Sequence, residues 1–309
     1  MTLTTGVFTR GQDGFLAPGS PEWSTVITPS KVPAILGISR WESSYRLWHR
    51  MKGLVDREPP KEIFDIGHDY EAAAANRWRR KNPGWRLSPG EVQYVDSVVD
   101  SLFAFPSVAT IDRRATRGRA QRVVEFKTAR DLSEWGDDFT GDCPEDYAAQ
   151  VMAQMMFTGL TKYPGHLLVL GPYFQEHIYP IGFDQGVEAF IHIKCLEFWK
   201  SLASDTPPPL DDTVATYECV RAMHPDIDGS TVQVSLDLAV ELHDANAESK
   251  ANEQRLRGLK SRLLAEMGTA AHAVAGDIRV ANRQPHARGG VALALAKKHP
   301  RQQLQETHQ

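Results

Sequence analysis

The alternation of apolar and polar positions is clearest over Val123-Val124-Glu125-Phe126-Lys127-Thr128, a β-branched run that predicts a strand. Upstream, Ala109-Thr110-Ile111-Asp112 predicts a second. Thr116-Arg117-Gly118-Arg119 reads as the polar loop between them. So short a loop implies antiparallel pairing. Side chains alternate along a strand, so Glu125 and Lys127 share one face and Phe126 takes the other, while Asp112 ends the neighbouring strand.

The rest of the pattern predicts helices and strands in alternation. Ser30 is placed to cap a helix carrying Val32, Ile35 and Leu36, which Gly37 ends. Ser43–Lys52 and Phe64–Arg80 read as amphipathic helices, the latter with Ile66, Tyr70, Ala73, Ala74 and Trp78 on its apolar side. Glu91–Val99 is strand-like, Ser97–Ser101 reads as a turn, and a strand over 102–112 breaks before Val108. Residues 130–146 form an acidic loop. Pro144 opens a helix to Gly159, with Tyr147, Gln150 and Gln154 on one face. His166–Leu170 and Glu176–Phe183 are strands, and Val187–Leu202 is a helix. The sum is an α/β domain with a mixed central sheet flanked by helices. Pro207-Pro208-Pro209 then breaks the chain. The organisation expected is an arm over 1–22, a core domain over 23–205, a loop-rich linker over 206–231, and a helical extension over 232–309. That extension holds long helical stretches within 234–267, one short strand over Ala275–Ala281 and a basic tail.

Composition narrows the class. Hydrophobic residues are 41% and charged residues 24% of the 309, ordinary for a globular protein. No apolar run reaches the roughly 18 residues of a membrane span, and no signal peptide opens the chain, so a cytoplasmic protein is expected. Cys143, Cys195 and Cys219 are widely spaced, which favours neither a disulfide framework nor a zinc site. Net charge is −4, yet Arg113, Arg114, Arg117, Arg119 and Arg122 fall in one window without an acid, as do Arg77, Arg79, Arg80, Lys81 and Arg86. Such clusters suit phosphates. They equally suit solvated loops and a solvated helix face.

The strand pair suggests chemistry. Two carboxylates and an ammonium at one end of a sheet are costly to bury unpaired. Carboxylate oxygens suit Mg²⁺ or Mn²⁺, and Mg²⁺ takes one or two carboxylates with water and phosphate oxygens. That equipment fits metal-assisted phosphodiester hydrolysis. An exposed hairpin with an incidental surface ion pair fits the same residues.

Ile111-Asp112 followed by Glu125-Phe126-Lys127 resembles the PD-(D/E)XK nuclease signature. Four more stretches, in order, resemble one branch of it. They are Ile27-Thr28-Pro29-Ser30-Lys31-Val32 with Ile35-Leu36-Gly37; Ser44-Tyr45-Arg46-Leu47-Trp48; Gly67-His68-Asp69-Tyr70-Glu71; and Tyr147-Ala148-Ala149-Gln150-Val151. The branch is the YqaJ viral recombinase family, which includes the phage lambda-type exonucleases. Three cysteines are too few for a four-ligand iron–sulfur cluster, which argues against the iron–sulfur CRISPR-associated exonucleases of the same core.

The resemblance implies a restriction-endonuclease-like core and a Mg²⁺-dependent exonuclease. It would digest linear duplex DNA 5′→3′, leave 3′ overhangs for a phage single-strand annealing protein, and assemble as a ring trimer. Asp112, Glu125 and the Phe126 main-chain carbonyl would hold metal, with Lys127 catalytic. Glu71 would join from its helix, although a surface glutamate is the plain alternative. Gln150 and Tyr147 would orient water or phosphate, or simply form a polar helix face. Ser30 would help hold a 5′-phosphate, or act only as a helix cap. Arg113, Arg114, Arg117 and Arg119 would contact DNA. One departure stands out: no arginine lies between Trp23 and Ser30, which leaves Lys31, Arg40 and Arg46 as candidate phosphate anchors. An endonuclease of the same fold, a non-catalytic DNA-binding protein, and a partner-recruiting role for residues 232–309 remain open.

Overall fold

Asp112 sits at a break between two strands that pair with different neighbours, and this break organises the sheets. A computed structural model describes residues 3–56, 62–97, 102–286, 289–296 and 299–301. The chain divides into two compact units, Met1–Ile227 and Asp228–Gln309.

The first unit begins with β1 (Gly6–Thr9), a four-residue helix α1 (Pro21–Ser24), a 3₁₀ turn over Pro29–Lys31, and α2 (Val32–Ile35). Helices α3 (Ser44–Met51) and α4 (Glu62–Lys81) follow, then β2 (Arg86–Leu87), β3 (Val92–Asp96), β4 (Ser107–Ile111), β5 (Arg113–Arg117) and β6 (Ala120–Thr128). Next come α5 (Glu145–Thr158), β7 (Gly165–Leu170), β8 (Glu176–Ile181), α6 (Gln185–Ala203) and α7 (Val214–Met223). A five-stranded mixed sheet has the order β2-β5-β6-β7-β8, and a three-stranded antiparallel sheet has the order β1-β3-β4.

Helix α5 is the crossover that lets β7 run parallel to β6. Pro144 stands at its N-cap and Gly159, left-handed at φ 69°, at its C-cap. Alternation along β6 and β7 divides the core. Val123, Leu167 and Val169 pack with Val151 and Met155 of α5. Val124, Phe126 and Leu168 pack with Ala74 and Trp78 of α4.

Several expectations are corrected. The partner of β6 is Arg113–Arg117, not Ala109–Asp112, because the turn is only Gly118-Arg119, closed by the Arg117–Ala120 pair. Gly118 takes the left-handed φ of 59° that such a turn needs. This register sets Arg113 opposite Val124, and β4 pairs with β3 instead. Most of the arginine-rich "loop" is therefore strand. On α4 the buried positions are Ala74, Ala75 and Trp78, while Ile66 and Tyr70 are exposed at 44% and 52%. The arm contains β1, which pairs with β3. The turn expected over 97–101 lies, beyond Ser97, outside the described residues. Within the expected linker, α7 packs on α3: Thr216 donates from Oγ1 to Ser43 Oγ at 2.8 Å, and Cys219 is buried.

The second unit contains one long helix, α8 (Leu236–Met267), capped by Ser235. A three-stranded antiparallel sheet follows: β9 (His272–Ala275), β10 (Ile278–Pro285) and β11 (Val291–Leu295). One strand was expected there. The short alternating runs on either side of Gly276 and Gly289-Gly290 make it three. Of the basic tail, residues 287–288, 297–298 and 302–309 lie outside the described residues. Among those described, no helix is long and apolar enough to cross a membrane.

Candidate active site

Asp112 joins β4 to β5, and its Oδ2 accepts a hydrogen bond from the main-chain N–H of Phe126 at 2.7 Å. The carboxylate is thereby turned toward β6 between Glu125 and Lys127. Glu125 points to the α5 side of the sheet and is only 3% exposed. It is not left in an oily interior. Lys127 Nζ and Gln150 Nε2 both donate to its Oε1 at 2.7 Å, and Gln154 Nε2 donates to Oε2 at 2.6 Å. One strand turn and one helix face thus bring Asp112, Glu125, Lys127 and Gln150 together. The strand period supplies the first group and the helical spacing of Gln150 and Gln154 the second.

The electrostatics follow from burial and proximity. Asp112 is short of solvent and faces Glu125 and Glu71, so its pKa is raised well above the usual carboxylate value, although Lys127 works the other way. Burial opposes the charge on Lys127, but Glu125 and Asp112 outweigh it and raise the ammonium's pKa. Lys127 is therefore a standing cation at neutral pH.

The donor set suits a hard divalent ion. A carboxylate has about four lone-pair positions. Glu125 spends three on Lys127, Gln150 and Gln154, and Asp112 spends one on Phe126 N–H. The remaining positions are carboxylate oxygens only, as Mg²⁺ or Mn²⁺ prefers. Among the described residues no three His, Cys, Asp or Glu side chains converge to enclose an ion, so water or substrate oxygens would complete its shell.

The other expected residues fall into distinct settings. Glu71 of α4 pairs with Arg113 at 3.5 Å and acts electrostatically on Asp112. Arg113 is buried and also donates to the Asp112 carbonyl at 2.5 Å, so it lines the site wall and is not displayed to solvent. Arg114 is on the opposite face of β5, donating to the Tyr94 hydroxyl at 3.3 Å. Arg117 and Arg119 are exposed. Tyr147 stacks on Trp135 at 5.3 Å, with Lys127 Nζ 5.4 Å from its ring centre. Ser30 is exposed inside the 3₁₀ turn, its hydroxyl 3.0 Å from that of Thr28. Thr28, not Ser30, occupies the cap position, because the turn starts at Pro29 ahead of α2.

The alternative anchors are engaged. Arg46 is buried against Glu42 and Glu218, and Arg40 chelates Asp146 while reaching Glu134. Lys31 is 7% exposed, and its ammonium donates to the carbonyls of Trp23, Ser24 and Val26 at 3.0, 2.8 and 2.6 Å. It ties the entry segment down. Lys31→Met should lower stability by about 3 kcal/mol, since it leaves these carbonyls without their donor. Urea unfolding measures this. A variant of full stability that fails only on DNA would return Lys31 to the role of anchor.

Gln154, placed by the sequence pattern on the face of Tyr147 and Gln150 but given no site role there, also belongs to the site. It is fully buried on a helix whose other buried residues are mostly apolar. Its i,i+4 relation to Gln150 was the available signal.

Residues 23–161 match the family model described as the YqaJ-like viral recombinase domain. No curated protein sequence matches the chain significantly. Among solved structures, the alkaline exonuclease LHK-Exo from Laribacter hongkongensis aligns over 60% of this chain and 94% of its own, at 14% identity and a TM-score of 0.41. Its complex with dAMP aligns over the same shares at 15% identity and a TM-score of 0.41. The family match takes in Ser30, Glu71, Asp112, Glu125–Lys127 and Gln150, and ends before β7. Residues 23–161, somewhat less than half of the chain, are thus similar to the YqaJ-like viral recombinase domain.

Proposed function

We propose that the protein is a Mg²⁺-dependent deoxyribonuclease that digests linear duplex DNA from its ends, 5′→3′, leaving 3′ overhangs for recombination by strand annealing. The observation that carries this reading is the convergence of Asp112, Glu125 and Lys127, with Glu125 held on three sides by Lys127, Gln150 and Gln154. The similarity of residues 23–161 to the YqaJ-like viral recombinase domain is consistent with it.

When bound, a divalent ion supplies Lewis acidity to a phosphoryl oxygen and acidifies water. Asp112 and Glu125 would hold it, with the Phe126 carbonyl as a further ligand. The chain's residues divide the remaining work. Lys127, protonated at neutral pH, stabilises negative charge that develops on the phosphate, and it positions water as a donor, not as a base. Gln150 and Gln154 fix the rotamer of Glu125 and leave one lone pair of Oε2 unspent. Glu71 and Arg113 hold the outer wall of the cluster. Tyr147 offers an aromatic surface beside Lys127, and Ser30 with Thr28 offers hydroxyls to a 5′-phosphate. Arg114, Arg117 and Arg119 supply cations for the DNA backbone. The wider reading includes a phage annealing protein as partner, a ring-shaped homotrimer, and the cytoplasm of a bacterial host.

The test uses end-labelled linear duplex, with 5′-phosphate or 5′-hydroxyl ends, in Mg²⁺ and in EDTA, beside covalently closed circles. Release of label from linear DNA in Mg²⁺ alone is expected. Cutting of closed circles would replace the exonuclease reading with an endonuclease.

A further inference from the structure

The α4 face of the five-stranded sheet carries a second concentration of positive charge, away from the catalytic cluster. The β5–β6 register puts Arg117 and Arg122 on one face of the hairpin. Both guanidiniums lie over the Trp85 ring, with Cζ 4.8 Å and 4.1 Å from the ring centre. Trp85 itself is 9% exposed. Arg122 is half-buried, and its Nε finds no hydrogen-bond partner among the described residues.

Its Nη1 approaches His166 Nε2, but that approach does not satisfy it. Trp78 Nε1–H donates to His166 Nδ1 at 3.1 Å. A neutral imidazole has one proton, so with Nδ1 accepting, the proton is on Nε2. Two donors then face each other. Burial and the charge of Arg122 push His166 down to about 3, so the ring is neutral at any working pH. The ionisable groups that act on Arg122 are Arg117 and the Tyr163 phenol; no acid is among them. Neither arginine has an ion-pair partner among the described residues.

An indole face offsets part of the cost of desolvating one guanidinium. It does nothing for the repulsion between two. A phosphate does both things required: it neutralises the pair, and its oxygens match the forked N–H geometry of arginine. Arg122 is three residues before Glu125 on β6, roughly 10 Å along the strand and on the opposite face. It cannot be a group of the reacting phosphate. We propose that Arg117 and Arg122, mounted on Trp85, form a binding site for a DNA backbone phosphate away from the scissile bond. This rests on the reading of DNA as substrate.

The test measures affinity for a labelled duplex oligonucleotide in EDTA, where nothing is cut, at several salt concentrations. Each phosphate contact contributes about 0.9 to the slope of log affinity against log salt. Arg117→Gln and Arg122→Gln should each lower the slope by about 1 and weaken binding several-fold. The double variant should lose little more, because one phosphate is shared. Thermal melting checks that each variant is folded, and exposed Arg117 gives a variant that keeps the fold even if Arg122→Gln does not. Unchanged slopes in folded variants overturn the site. So does a wild type stabilised by inorganic phosphate alone in a way the double variant is not, with slopes unchanged, because the site would then take a free anion. A wild type that binds DNA but never cuts it would sink the nuclease reading and leave the slope comparison intact. One that cuts with unchanged variant slopes would sink only the phosphate site.

Discussion

Asp112→Asn should abolish hydrolysis, by at least about a thousandfold or roughly 4 kcal/mol of transition-state stabilisation, and should at the same time make the metal-free protein more stable. The two effects have one cause. Asp112 is a carboxylate held short of water beside Glu125 and Glu71, and its folded-state pKa lies well above 3.8. Between the ordinary value and the raised one, the folded chain binds more protons than the unfolded chain. Stability therefore falls as pH climbs through that window, and the loss is complete above it. An asparagine carries no such loss, and its side-chain oxygen can still accept from Phe126 N–H. The melting temperature of the variant in EDTA should exceed that of the wild type at neutral pH, and the difference should shrink as pH falls through the carboxylate range. Mg²⁺ should raise the wild-type melting temperature and leave the variant's nearly unchanged. A wild type that melts identically in Mg²⁺ and EDTA would remove the ion from the site. A variant less stable than the wild type in EDTA would mean that Asp112 is held by something other than the strained charge cluster described.

How far the chain could be read without coordinates depended on whether a residue's role is set locally. Glu125, Phe126 and Lys127 were legible because a strand's period of two decides their faces whatever the strand pairs with. The α5 helix was legible because Pro144 and Gly159 mark its ends and Gln150 falls on its polar side. The pairing partner of β6 was not. It depends on a turn of two residues, Gly118-Arg119, and the arginines of β5 read as loop because the indole that lies under Arg117 and Arg122 is remote in sequence. Lys31 and Arg113 illustrate the same limit for charge. A basic residue advertises a phosphate contact until its donors are seen to be spent on carbonyls or on Glu71. Gln154 is the converse. Its place on the Gln150 face was legible, but its amide is fully buried, and only the position of Glu125 across the interface explains that. Pattern reading finds groups whose neighbours are a few residues away, and loses those whose partners arrive through the fold.

Lys127→Met should abolish hydrolysis to a similar extent, yet shift stability the opposite way. Lys127 gives its ammonium to a carboxylate that is almost fully buried, at 2.7 Å. Removing one partner of a buried pair leaves the other charge uncompensated, at about 3–5 kcal/mol. Gln150 and Gln154 still donate to Glu125, so a loss of about 3 kcal/mol is expected, at the lower end. Asp112 also loses the one cation that opposes its raised pKa, which adds to the destabilisation at neutral pH and should make the variant's stability fall more steeply with rising pH than the wild type's. The sign follows from Asp112 holding its proton longer in the folded chain. The Lys127 contribution itself is fully present below its ordinary pKa and disappears only above the raised one, so in the wild type it is constant across the neutral range. Equilibrium urea unfolding in EDTA at several pH values measures this, and duplex binding without Mg²⁺ checks that substrate recognition survives. Two inactive variants that moved stability in the same direction would contradict the assignment of Asp112 as the charge the fold tolerates at a cost and Lys127 as the charge that makes Glu125 tolerable. Hydrolysis that persisted in Lys127→Met at alkaline pH would show that the ammonium was not the group answering the phosphate's developing charge.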